Sequence, residues 1–148
     1  MSDSFLTRFF HVAQKVTEAD RGLAVNSTLK VLDKFNVDEK LLADQSFAGF
    51  SQIWLRRALD DGATIITNNI ITDASQAPTT NTNFANLRVV VCIPLLGHGA
   101  VYLDQHIRNG IIPREVIDRL SGVVVKLLEN YQADITEAEI MALYEQTP

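Results

Sequence analysis

Residues 87–105 read LRVVVCIPLLGHGAVYLDQ, and their pattern decides the fold. RVVVCIPL is apolar almost without a break, as in a strand buried on both faces. AVYLDQ, at 100–105, is a second strand, and Leu96-Gly97-His98-Gly99 between them forms a tight, glycine-rich turn. The two strands therefore pair as an antiparallel hairpin.

The hairpin also holds the chain's one cysteine and His98, and His106 follows it directly, which raises the question of chemistry. Cys92 lies in the middle of the apolar strand, where a free cysteine behaves as a small hydrophobe. A reactive thiol needs partial exposure and a cationic neighbour, and Arg88 lies too far along the strand to be an obvious partner. His98 between two glycines reads as a turn residue, and His106 beside Gln105 and Arg108 as a solvated one. A zinc site needs about four N, S or O ligands, and the sequence offers one cysteine and no histidine pair at ligand spacing. No phosphate loop, nucleophile elbow or paired-cysteine motif is present. No metal site, cofactor or catalytic group is expected, and the stretch reads as scaffold.

Upstream of the hairpin, Phe5, Leu6, Phe9, Phe10, Val12, Ala13 and Val16 recur at helical spacing and predict an amphipathic helix over 3–18. GLAVNSTLKVLDKF reads as two short strands pivoting on Asn26-Ser27. FSQIWLRRALDDG carries a start signal at Ser51 and a glycine stop at Gly62, which bracket a helix. ATIITN is a short strand, and NIITDASQAPTTNTNFANL is too polar for core and reads as a loop. Downstream, Pro113 opens a long helix through Val116, Ile117, Leu120, Val123, Val124, Leu127 and Leu128. TEAE at 136–139 is a capping box for a last short helix. Hairpin-linked strands with helices gathered at the ends predict an α+β domain around one antiparallel sheet.

Composition restricts the partners. The chain has 148 residues, enough for one domain with a single core, and its net charge is -5. An acidic chain with scattered Lys and Arg has no basic face for nucleic acid and no polybasic run for a membrane surface. No apolar run approaches the ~18 residues of a membrane span, and the charged N-terminus lacks the apolar core of a signal peptide. A single cysteine fits a reducing compartment, and a cytoplasmic protein is expected.

In this order of elements the chain resembles a GAF domain. That family carries a pattern like LRSVLCVPL, a glycine-containing turn, GVLYLD, and a polar stretch ending in glycine before its last helix. Here LRVVVCIPL (87–95), AVYLDQ (100–105) and RNG (108–110) stand in those places. EADRGLAV (18–25) is similar to the family's first strand and its lead-in, and RRALDDGATIITNN (56–69) to its third strand and approach. The resemblance covers about residues 5–130 and leaves 132–148 as an extra C-terminal helix on one GAF-like domain. It implies a central antiparallel sheet of five or six strands. N- and C-terminal helices pack on one face, and a pocket on the other face is roofed by the polar loop. The hairpin turns are shorter than is usual in the family, and Ala63 replaces the usual proline neighbourhood, which implies a reduced pocket. The Cys-His pair that anchors a bilin is missing, because Ile93 follows Cys92. The several cysteines of the free methionine sulfoxide reductases of this fold are missing too.

The resemblance implies a non-enzymatic, signal-sensing regulatory domain. Its small polar ligand is expected under the loop, at Asn68, Asn69, Thr72, Asp73, Thr80, Asn81 and Asn83, with Arg88 and Tyr102 as walls. The alternative is a structural dimerisation module with a vestigial pocket. A homodimer is expected through the N-terminal helix, with Phe5, Phe9 and Phe10 in the seam beside the helix at 113–130. With no kinase, cyclase or DNA-binding element in these residues, either an output partner acts in trans or the chain is an excised piece. Fold resemblance cannot name the ligand.

Overall fold

The computed structural model describes residues 4–72, 87–106 and 110–147. Helix α1 (Ser4–Thr17) leads into strands β1 (Arg21–Val25) and β2 (Val31–Phe35). Helices α2 (Glu39–Ala43) and α3 (Gln45–Asp61) come next, then β3 (Ile65–Thr72), β4 (Leu87–Leu95) and β5 (Gly99–His106), and finally α4 (Arg114–Glu129) and α5 (Glu137–Gln146). All five strands form one antiparallel sheet in the order β2-β1-β5-β4-β3.

Strand alternation divides the core in two. Val91, Ile93 and Leu95 of β4, with Val101 and Leu103 of β5, pack beneath α1, α4 and α5. The intervening Val90 and Cys92, with Ala100 and Tyr102, pack beneath α2 and α3. Val89 to Ile93 are all buried, as the unbroken apolar run predicts. The N- and C-terminal helices thus share one face, as expected, and α3 lies on the other. The last helix is part of the main core, with Ile140 fully buried between the terminal helices.

The aromatic side chains of α1 correct one expectation. Phe5, Phe9 and Phe10 are 1%, 0% and 0% exposed within the single chain, so they form its own core and no seam to a second copy. The helical period identifies a face that must be covered, and α4 and α5 cover it.

The turns follow local chemistry. The Asn26 side chain accepts the N–H groups of Thr28 and Lys30, both at 2.9 Å, and so closes the β1–β2 hairpin on the expected pivot. Helix α3 begins before Ser51, which lies inside it with its hydroxyl donated to the Ala48 carbonyl at 3.2 Å. Asp44 supplies the start instead, its carboxylate accepting the Phe47 N–H at 3.1 Å, and the short α2 precedes it with Asp38 as its cap. Gly62 ends α3 at φ 64°, as expected. The capping box of Thr136 and Glu139 is formed.

Strand β3 is longer than the sequence suggests. Its ladder with β4 runs from Ile65 opposite Cys92 to Thr72 opposite Leu87, with a register shift between Thr67 and Ile71. The β-branched Ile71 and Thr72 resume the ladder beyond the polar Asn68-Asn69.

Candidate functional site

One end of the sheet gathers the start of β1, the end of β5, the start of β4 and the end of β3. Arg21 is the first residue of β1 and stands opposite Asp104 of β5, both on the α3 side. The Asp104 side chain is 0% exposed and that of Arg21 13% exposed. The Arg21 Nε–H donates to both carboxylate oxygens, at 2.8 and 2.9 Å. Tyr102, two residues before Asp104 and on the same face, donates its hydroxyl to Asp104 Oδ2 at 2.6 Å. A buried charge persists only with such pairing.

Phe47, at the start of α3, closes the cluster from above. The Arg21 guanidinium carbon lies 4.8 Å from the centre of its ring. The Tyr102 ring meets Phe47 edge-on, with centroids 6.0 Å apart. Asp20 ties the strand ends together, since its N–H donates to the Asp104 carbonyl at 3.0 Å and its carboxylate accepts the His106 N–H at 2.7 Å.

Tyr102 and Cys92 on this face are held in their neutral forms. Burial, and then the charge of Asp104, pushes the Tyr102 hydroxyl well above its ordinary range, so it stays a donor. Burial likewise pushes the Cys92 thiol, opposite Tyr102 in the ladder, far above a free cysteine. Cys92 is the inert strand residue expected. His98 lies in the β4–β5 turn, where its ring packs 4.7 Å from Phe5 and 4.8 Å from Tyr131. Among the described residues, no three His, Cys, Asp or Glu side chains are grouped to hold a metal ion.

The expected ligand residues distribute unevenly. Tyr102 belongs to the cluster and is 1% exposed, with its hydroxyl turned inward to Asp104. Asn68, Asn69 and Thr72 are on β3, and Arg88 on β4 opposite His106; their backbone register alone is described. Asp73, Thr80, Asn81 and Asn83 lie outside the described residues. Thr72 pairs with Leu87, so β3 ends and β4 begins at the end of the sheet where Arg21 and Asp104 meet. Arg21 and Asp104 were not singled out from the sequence. The available signal was an acidic residue two positions after Tyr102 on an inward strand face, which requires a buried counter-charge.

No protein-family model and no curated protein matches the chain. Among solved structures, the GAF domain/HD domain protein from Geobacter sulfurreducens aligns with a TM-score of 0.50. The alignment covers 97% of this chain and 93% of that one, at 10% identity.

The fold is GAF-like.

Myxococcus xanthus MglB gives a looser likeness, with a TM-score of 0.42 and 12% identity over 100% of this chain and 96% of its own. At such identities the likeness concerns backbone architecture, and the Arg21–Asp104–Tyr102 cluster is argued from this chain's own residues. No helix among the described residues is long and apolar enough to cross a membrane.

Proposed function

We propose that this GAF-like chain is a non-enzymatic, signal-sensing regulatory domain that binds a small polar ligand at the Arg21 end of the α3-covered face. The observation that carries the reading is the state of Arg21. Its Nε is committed to Asp104 and its face to Phe47, while its Nη groups make no hydrogen bond to a described residue. A guanidinium fixed this firmly and still offering donors suits a ligand that presents a carboxylate, phosphate or carbonyl oxygen. Cys92 and Tyr102 on this face are held protonated by burial, and the Asp104 carboxylate is committed to Arg21 and Tyr102, which favours binding over catalysis. A lone buried thiol suits the reducing cytoplasm, where we place the protein.

NMR titration with cyclic nucleotides, nucleobases and amino acids tests the reading. Saturable shifts are expected at the Arg21 Nε–H and at the amides of Phe47 and His106. Shifts confined to another surface, or none with any of these classes, would remove the site.

A second reading is a homodimer that passes its signal to a partner in trans, and the outer face of α4 favours it. Leu96 and Val125 are 52% and 55% exposed, and both line a groove of about 430 Å³ between α4 and the β3–β4 edge. This face replaces α1 as the seam. Sedimentation of the parent against Val125→Glu decides the matter: a dimer dissociated by the substitution supports the face, and a monomeric parent at micromolar concentration ends the reading.

A further inference from the structure

The imidazole of His11, halfway along α1, is held between two carboxylates from opposite sides. Its Nε2 lies 2.6 Å from Asp33 Oδ2 on the edge strand β2. Its Nδ1 lies 2.8 Å from Glu137 Oε2, in the first turn of α5. A neutral imidazole carries one N–H and can satisfy one of these acceptors, leaving a lone pair against the other; the imidazolium donates to both. The geometry is therefore that of the charged ring, and it joins three elements far apart in sequence.

We propose that His11 is a protonation-dependent clasp that fastens the first turn of α5 to α1 and β2, and that loses its hold on Glu137 as pH rises. Deprotonation leaves one N–H for two carboxylates. Asp33 has the shorter contact and the shorter, less exposed side chain, 33% against 45% for Glu137, so it keeps the hydrogen bond from the remaining ring N–H and Glu137 is released.

The surrounding charges leave this control to His11. On its own helix, Arg8 donates to the Ala133 and Ile135 carbonyls at 3.2 and 2.9 Å and so faces away from the ring's two partners. Lys15 and Glu18, of opposite sign, line the same groove. On β2, Lys34 lies 3.7 Å from Glu39. From α5, Glu137 is the group that reaches the ring. Partial burial acts to lower the imidazole's pKa, yet hydrogen bonds and charge from Glu137 and Asp33 outweigh it and raise it above 6.5. The switch therefore falls on the physiological side of an ordinary histidine. Beyond the clasp, Ile140 and Tyr144 still hold the body of α5 in the core, so its first turn loosens while the domain stays folded.

Imidazole-detected NMR and amide exchange, corrected for the intrinsic effect of pH, test the clasp in the full chain. His11 is expected to titrate above 6.5, with both ring N–H groups visible below its midpoint. Protection of the amides from Ile135 to Ile140 should fall about threefold or more as pH passes that midpoint, while the α4 amides stay level. In His11→Gln the step should vanish. In the surface variant Glu137→Gln, whose amide can donate to a neutral ring, the step should flatten and the His11 midpoint drop. The clasp is overturned if His11 titrates at or below 6.5, or if the variants keep the parent's step in α5.

Discussion

Arg21 and Asp104 face each other across the β1–β5 ladder, and a single N–H group of the arginine spans both oxygens of a carboxylate that no solvent reaches. Stripping Asp104 of its guanidinium by Arg21→Met is expected to cost about 3–5 kcal/mol in urea unfolding. Joining it to Asp104→Leu should restore much of that loss, because no uncompensated charge remains. Tyr102→Phe removes only a hydroxyl and should cost ~1–3 kcal/mol.

Cys92 should resist thiol reagents in the native protein and react at once after denaturation. Burial both shields the sulfur and disfavours its thiolate. Cys92→Ala should lower stability by on the order of 1 kcal/mol, through the small cavity it leaves. Equal labelling rates in the two states would contradict the placement of β4.

Phe9→Ala should destabilise by about 3–5 kcal/mol without changing the oligomeric state of whatever remains folded. Phe9 is fully enclosed by its own chain, so its loss is felt as a cavity. A stable variant with altered sedimentation would restore α1 to the seam.

Gly99→Ala should prevent normal folding. A Cβ there would lie 1.9 Å from the Val25 carbonyl oxygen, and the residue sits at φ 144°, so neither the space nor the backbone accepts alanine. Circular dichroism and yield of soluble protein would show the loss, while Gly97→Ala, with no neighbour within 4 Å of an added Cβ, should suffer only from its own φ of 87°.

Stability against pH should carry the mark of His11. Its folded pKa is raised, so its contribution is fully present below 6.5 and is lost as pH rises through the higher folded value. Melting temperatures of parent and His11→Gln, compared from pH about 5.5 to about 9, should differ most at the acid end and converge at the alkaline end. A gap that widens with pH would reverse the sign and refute the assignment.

Much of the architecture was legible in the sequence because it rests on period and on local hydrogen bonds. The β4–β5 hairpin, α1, α4, the Asn26 pivot, the Gly62 stop and the Thr136 capping box all have causes within a few residues. The start of α3 was missed because Ser51 and Asp44 are both competent caps, and the choice belongs to α2 and the packing of Phe47. The destination of the α1 phenylalanines was missed because an amphipathic face shows that it needs cover without showing what provides it. Of the Arg21–Asp104–Tyr102 cluster, the sequence singled out Tyr102, as a pocket wall, and not its partners. Arg21 is separated from Asp104 by 83 positions and His11 from Glu137 by 126, and no local pattern joins such residues.

The strands β4 and β5 are a partition one residue thick between two apolar clusters. Close-packed interiors do not yield like a fluid, and displacement of one side chain has to be taken up by its neighbours. Val101 and Leu103, the chain neighbours of Tyr102, pack on the opposite face, under α1, α4 and α5, so a displaced Tyr102 has to be accommodated there as well.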